Sequence, residues 1–174
     1  MSDTTTQPMS DDSGRAAPER QVFRVYIQAP VQKVWDALTS SEFTTKYGYG
    51  GEVEVDLTPG GKYLAHTTPA MKEMGMGDTA VTGKVIEADP PRRLVQTWVA
   101  AWHNEETTLT WDLTEYDGGL TGLTLTHDCA GAPNTAMDVE GTGNAAQGGG
   151  GWPWVLASLK TLLETGQAMV SAGA

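Results

Sequence analysis

The first 21 positions carry almost no large apolar side chain, and regular alternation begins immediately after them. Phe23, Val25 and Ile27 alternate with Arg24, Tyr26 and Gln28, the period of a half-buried strand. Pro30 follows at the first turn of a helix, where its missing N–H costs nothing. Val31, Val34, Trp35 and Leu38 then recur at i, i+3, i+4 and i+7 and form one apolar face. Thr39 and Glu42 have the spacing of a capping box and predict a second short helix to about Lys46. From Glu52 the period is two. Val53, Val55 and Leu57 read as a strand, Pro59-Gly60-Gly61 as a turn, and Tyr63, Ala65 and Thr67 as the returning strand. Residues 69–79 read as a loop. Further strands are predicted over 80–89, 94–101, 107–116 and 120–129, the last entered through the turn Asp117-Gly118-Gly119. About seven strands in hairpin order make an antiparallel sheet. Residues 130–151 read as a long loop holding seven glycines. The final helix, 152–167, carries the broad stripe Trp152, Val155, Leu156, Leu159, Leu162 and Leu163, with Pro153 near its start and Gly166 near its end.

This order of elements places one domain over 22–167, a disordered N-terminal tail over 1–21 and a short C-terminal tail over 168–174. The length of 174 residues agrees with one domain. One cysteine, Cys129, excludes an internal disulfide framework and a cysteine-based zinc site. No apolar run approaches the ~20 residues of a membrane span, and the N-terminus lacks a signal pattern, so the expectation is a cytoplasmic protein. The net charge of −11 disfavours nucleic acid and anionic membranes as partners. Between Arg93 and Lys160 there is no Lys or Arg, whereas eight Asp and Glu fall there. A ligand of this chain is therefore expected to be neutral, apolar or cationic.

Several short motifs occur in a recognisable order. They are Ala29-Pro30-Val31 with Val34-Trp35-Asp36-Ala37-Leu38-Thr39, Asp56-Leu57-Thr58-Pro59-Gly60-Gly61, Gly83-Lys84-Val85-Ile86-Glu87 and Asp89-Pro90-Pro91-Arg92-Arg93-Leu94. Thr97-Trp98, Leu123-Thr124-Leu125-Thr126-His127 and Gly151-Trp152 before Leu156, Leu159 and Lys160 complete the set. Together, over about 22–167, they resemble the START-like (SRPBCC) superfamily and, more closely, the branch named for the activator of Hsp90 ATPase. The resemblance implies an α+β helix-grip fold. A curved antiparallel sheet of about seven strands wraps a long C-terminal helix, two short helices follow the first strand, and a cavity lies between sheet and helix. Two departures, the Met-rich segment 69–79 and the glycine-rich segment 130–151, fall where the resemblance puts the cavity mouth.

Strand parity selects the side chains that enter this cavity. Leu123 and Leu125 must face the helix, which puts His127 and Cys129 on the same side. Leu109, Trp111 and Leu113 share a face, as do Leu94, Gln96 and Trp98, and Tyr63 with Ala65. The expected ligand-binding set is therefore Tyr63, Gln96 and Trp98, then Leu109, Trp111, Leu125 and His127, with Trp152 and Leu156 from the helix. Met71, Met74 and Met76 are the expected lid, an adaptable apolar cover; the alternative is an exposed hairpin tip. A filled core, with His127 satisfied by a neighbour, is the alternative to an open cavity.

His127 is the inward candidate for acid–base work, and Glu87 is a second if it faces inward with Val85. His66, His103 and His127 lie on separate elements without ligand spacing, so neither a metal nor a cofactor is expected. Gly141-Thr142-Gly143-Asn144-Ala145-Ala146 matches a dinucleotide fingerprint but follows no strand. The expected function is capture of a small hydrophobic molecule. The alternatives are a cyclase- or aromatase-like enzyme of polyketide-type biosynthesis using the same cavity, and an Hsp90-type co-chaperone or protein-interaction domain. A homodimer is compatible with each.

Overall fold

In the computed structural model, which describes residues 15–170, the first alternating segment is strand β1 (Arg20–Ile27), with Gln21 and Ile27 buried. Part of the segment expected to be a tail lies against the domain. The Cys129 N–H donates to the Glu19 carbonyl at 2.6 Å, and Gln21 Nε2 donates to the carbonyls of Pro18 and Ala136 at 3.1 and 2.7 Å. Arg15 pairs with Glu140 at 3.0 Å. Residues 1–14 and 171–174 lie outside the described residues.

Helix α1 (Val31–Thr39) buries Val34, Trp35, Ala37 and Leu38. A short helix α2 (Ser41–Thr44) follows, but not through the expected capping box. Ser40 is extended, with φ −114° and ψ 130°, and ends one helix as it begins the next. The Thr39 hydroxyl donates instead to the Trp35 carbonyl at 3.0 Å.

Strands β2 (Val53–Val55), β3 (Lys62–His66), β4 (Thr79–Asp89), β5 (Arg93–Ala100), β6 (Glu106–Tyr116) and β7 (Leu120–Asp128) complete a seven-stranded sheet in the order β1-β7-β6-β5-β4-β3-β2. Every pair is antiparallel. Because β1 and β2 occupy opposite edges, α1 and α2 must carry the chain across the concave face. The C-terminal helix α5 (Gly151–Thr165) packs against β1 and α1 on that face, with Leu156, Leu159, Leu162 and Leu163 buried. It ends where Gly166 turns left-handed at φ 76° and its N–H donates to the Leu162 carbonyl at 2.8 Å. This is the helix-grip architecture that the motif order implies.

Two segments expected to be loops contain helices. Helix α3 (Pro69–Glu73) begins at a proline, and the Thr68 hydroxyl caps it by accepting from the Met71 N–H at 3.3 Å. Helix α4 (Pro133–Glu140) also begins at a proline. Its first turn is capped from a distance: the Glu105 carboxylate accepts from the Thr135 N–H and from Asn134 Nδ2, each at 2.8 Å. These bonds hold the Glu105 carboxyl below its ordinary range. A single 3-10 turn, Ala145–Gln147, lies between α4 and α5, so the fingerprint-like 141–146 opens no α-helix.

The glycines here are not slack. The end of α4 and the start of α5 pass backbone to backbone. A Cβ on Gly141 would stand 2.2 Å from the Gly150 carbonyl oxygen, and one on Gly151, at φ 54°, 2.5 Å from that of Val139. The run thus folds back on itself and ties α4 to α5.

Candidate functional site

The concave face divides into two halves. Toward β1, β7 and α5 it is filled: Leu109, Leu123, Leu125, His127 and Leu159 are fully buried. Toward β2–β5 a cavity of about 430 Å³ remains, walled mostly by apolar and aromatic side chains. The indole of Trp152 forms the partition. Its ring centroid stands 5.5 Å from that of Trp111, 5.9 Å from His127 and 6.3 Å from Trp98. Both the open-cavity and filled-core readings therefore describe part of this molecule.

Among the expected ligand-binding residues, Tyr63, Gln96, Trp98, Trp111 and Trp152 stand in the cavity wall. Leu109, Leu125, His127 and Leu156 do not; they are buried behind the Trp152 partition. Met71, on α3, borders the mouth, whereas Met74 projects into solvent and Met76 packs against the core outside the wall. Glu87 points away from the cavity. The β4–β5 register shifts between Val85 and Glu87, so the inward Val85 is followed by two exposed residues, and Glu87 Oε1 pairs with Arg93 Nε at 3.3 Å.

His127 is held on both sides. The Trp152 indole Nε1–H donates to His127 Nδ1 at 2.9 Å, and His127 Nε2 lies 2.7 Å from Thr107 Oγ1. The Thr107 hydroxyl donates to the Trp98 carbonyl at 2.8 Å. An indole nitrogen can only donate, so the imidazole proton sits on Nε2 and the ring is neutral. Burial pushes its pKa down from 6.5 to about 4, opposed weakly by the nearby Asp128 carboxylate. The ring thus ties β7, β6, β5 and α5 together and is not among the residues of the cavity wall. Cys129 is equally inert as a nucleophile, because burial pushes its thiol up to about 12.

Three buried side chains hold polar atoms without a partner among the described residues: Gln21 Oε1 and Thr135 Oγ1, away from the cavity wall, and the Gln96 amide within it. The Gln96 side chain is fully buried, yet neither Oε1 nor Nε2 has a hydrogen-bond partner among the described residues. It stands in the cavity wall. The Tyr63 phenol is its polar neighbour. Burial pushes that hydroxyl up to about 12. An amide donor and acceptor, a phenol and aromatic walls are a constellation for orienting a mostly apolar molecule by a few hydrogen bonds.

The strand pattern does not reveal the mouth of the cavity. Tyr47, Tyr49, Trp102, Asp138, Val139 and the 147–149 segment also line it. Tyr49 donates to the Gly148 carbonyl at 3.0 Å and so joins the segment before β2 to the glycine run. The signal for α4 is present in the sequence: Pro133, then Ala136 and Val139 three residues apart, with Ala132 one turn before. Apart from tyrosines, His66 and Asp138 are the ionisable side chains in the wall, and His66 bonds Glu54 at 3.0 Å. Among the described residues no three His, Cys, Asp or Glu side chains gather as metal ligands, and no helix is long and apolar enough to cross a membrane.

Residues 28–164 match the family described as Activator of Hsp90 ATPase homolog 1-like protein. Among solved structures, the chain is similar to DynU16, a protein in the dynemicin biosynthetic locus, at 25% identity and TM-score 0.64, covering 87% of this chain and 49% of DynU16. It thus spans about half the length of that protein. CalU16 from Micromonospora echinospora is similar at 24% identity and TM-score 0.57, with 82% of this chain and 73% of CalU16 covered. The Aha1 dimer from Colwellia psychrerythraea shares the fold at 18% identity and TM-score 0.60, with 86% and 98% covered. No curated protein matches the sequence.

Proposed function

The chain belongs to the Activator of Hsp90 ATPase homolog 1-like family, and on that scaffold we propose that it is a binding protein for a small, largely apolar molecule. The ligand occupies the cavity between β2–β5 and the α4–α5 segment, and its polar group pairs with the Gln96 amide. One observation carries this reading: a fully buried side chain leaves both a donor and an acceptor unpaired at the wall of an aromatic cavity. Leaving such groups unpaired costs about 1–3 kcal/mol, which a ligand bearing a carboxamide, lactam or hydroxy-ketone group would offset. The similarity to DynU16, a protein of a biosynthetic locus, supports a biosynthetic product or intermediate as the natural ligand.

Cyclase- or aromatase-type chemistry requires polar groups that converge on one reacting atom and exchange protons near neutral pH. His127, the candidate for that role, is neutral and committed to Trp152 and Thr107, so binding is the better-supported reading. An Hsp90-related role rests on the family name.

The test is a fluorescence titration with 1-naphthamide and 1-naphthoate. Trp98, Trp111 and Trp152 stand in the cavity wall, so the neutral amide should quench saturably. The anion should bind at least tenfold more weakly, because the wall contains no Lys or Arg and does contain Asp138. Quenching that never saturates, or tighter binding of the naphthoate, would sink this reading.

A further inference from the structure

The mouth of the cavity carries chemistry that a purely apolar ligand does not use. Asp138, on α4, is the carboxylate in the wall, and no Lys or Arg stands there to neutralise it. Its Oδ2 accepts two hydrogen bonds, from the Trp102 indole Nε1 at 2.9 Å and from His103 Nε2 at 2.7 Å. These bonds fix the carboxylate against the β5–β6 loop. Its other oxygen, Oδ1, makes no hydrogen bond to the described residues. The surrounding rings are aromatic: Trp102 is half exposed at the rim, Tyr49 stands in the same wall, and Trp152 closes the inner side. The buried, unpartnered Gln96 amide stands in the same wall and marks this space independently as a ligand site.

A fixed carboxylate beside aromatic rings is complementary to an organic cation. The carboxylate supplies the counter-charge, and the ring faces attract the ammonium through their quadrupoles. We propose that the mouth formed by Asp138, Trp102 and Tyr49 is a subsite for an ammonium group carried by the ligand, whose apolar body lies deeper against Gln96. This rests on the binding reading above. The surrounding sequence fits it, because residues 94–159 contain no Lys or Arg to compete for the carboxylate.

The experiment compares two probes at pH 8. One is (2-naphthylmethyl)trimethylammonium; the other is its carbon isostere, with a tert-butyl group in place of the trimethylammonium. Dissociation constants of both are measured for the wild type and for Asp138→Asn, whose amide oxygen can still accept from Trp102 and His103. The expected result is that the preference for the cation, expressed as the ratio of the two constants, falls about fivefold in the variant. Trp102→Leu alters a half-exposed side chain, so it keeps the test open if Asp138→Asn does not fold; the same ratio should fall about threefold. A ratio unchanged within twofold in the folded variants overturns the cation subsite and leaves the binding reading standing. Failure of both probes to bind the wild type overturns both.

Discussion

Leu159→Ala is expected to destabilise the protein by roughly 2–5 kcal/mol, the usual loss when a fully buried leucine is truncated and its cavity does not collapse. Leu159 is 0% exposed at the centre of the α5 stripe, in the core shared with β1 and α1. The neighbouring walls are strands fixed by paired registers, so they cannot close over the void. Urea unfolding followed by circular dichroism reads the change directly. An unfolding free energy within ~0.5 kcal/mol of wild type would mean that α5 does not grip the sheet.

The second large effect is a loss of stability in mild acid. In the unfolded chain His127 takes up its proton near pH 6.5, and in the folded protein only near 4. Between those values the unfolded state binds more protons, so stability falls as pH falls. The contribution is fully present above about 6.5, declines through the window and is gone below about 4. The gap between those two values corresponds to roughly 3 kcal/mol. The structural cause is specific: protonated Nδ1 would face the Trp152 indole N–H donor to donor in a buried site. Carboxylates titrate near the lower end of this window, so the His127 share is the difference between wild type and His127→Gln. That variant should be less stable at pH 8, because it loses the Trp152–Thr107 bridge, and should show a shallower decline from pH 7 to 4. Parallel pH profiles would show that His127 is not buried neutral.

The strands and the gripping helix were legible because they obey simple periods. The sets Leu109–Trp111–Leu113 and Leu94–Gln96–Trp98 are inward in the structure as their alternation requires. Where a local irregularity breaks the period, the pattern misleads. The register shift after Val85 turns Glu87 outward, and nothing in the run of residue types announces it. The second half of the site comes from tertiary packing. Parity places His127 and Leu125 on the concave face, but it cannot say that Trp152 will lie across them and confine the cavity to the other half. Nor do the glycines around α4 look like structure, although they are what lets α4 and α5 meet. The cavity mouth, with Tyr49, Trp102 and Asp138, depends on that meeting.

Under the proposed function, Gln96 is kept unpaired in the interior for the sake of a ligand. Gln96→Leu tests it in one experiment with two readings, thermal unfolding without ligand and 1-naphthamide affinity. Replacing a buried amide that has no partners with an apolar side chain of similar size should raise stability by about 1–3 kcal/mol. The same change should weaken 1-naphthamide binding about tenfold or more, because the ligand's own amide is then left unpaired inside the cavity. Higher stability together with lower affinity is expected; a variant that is destabilised, or that binds 1-naphthamide as tightly as the wild type, would mean that no ligand pairs with Gln96.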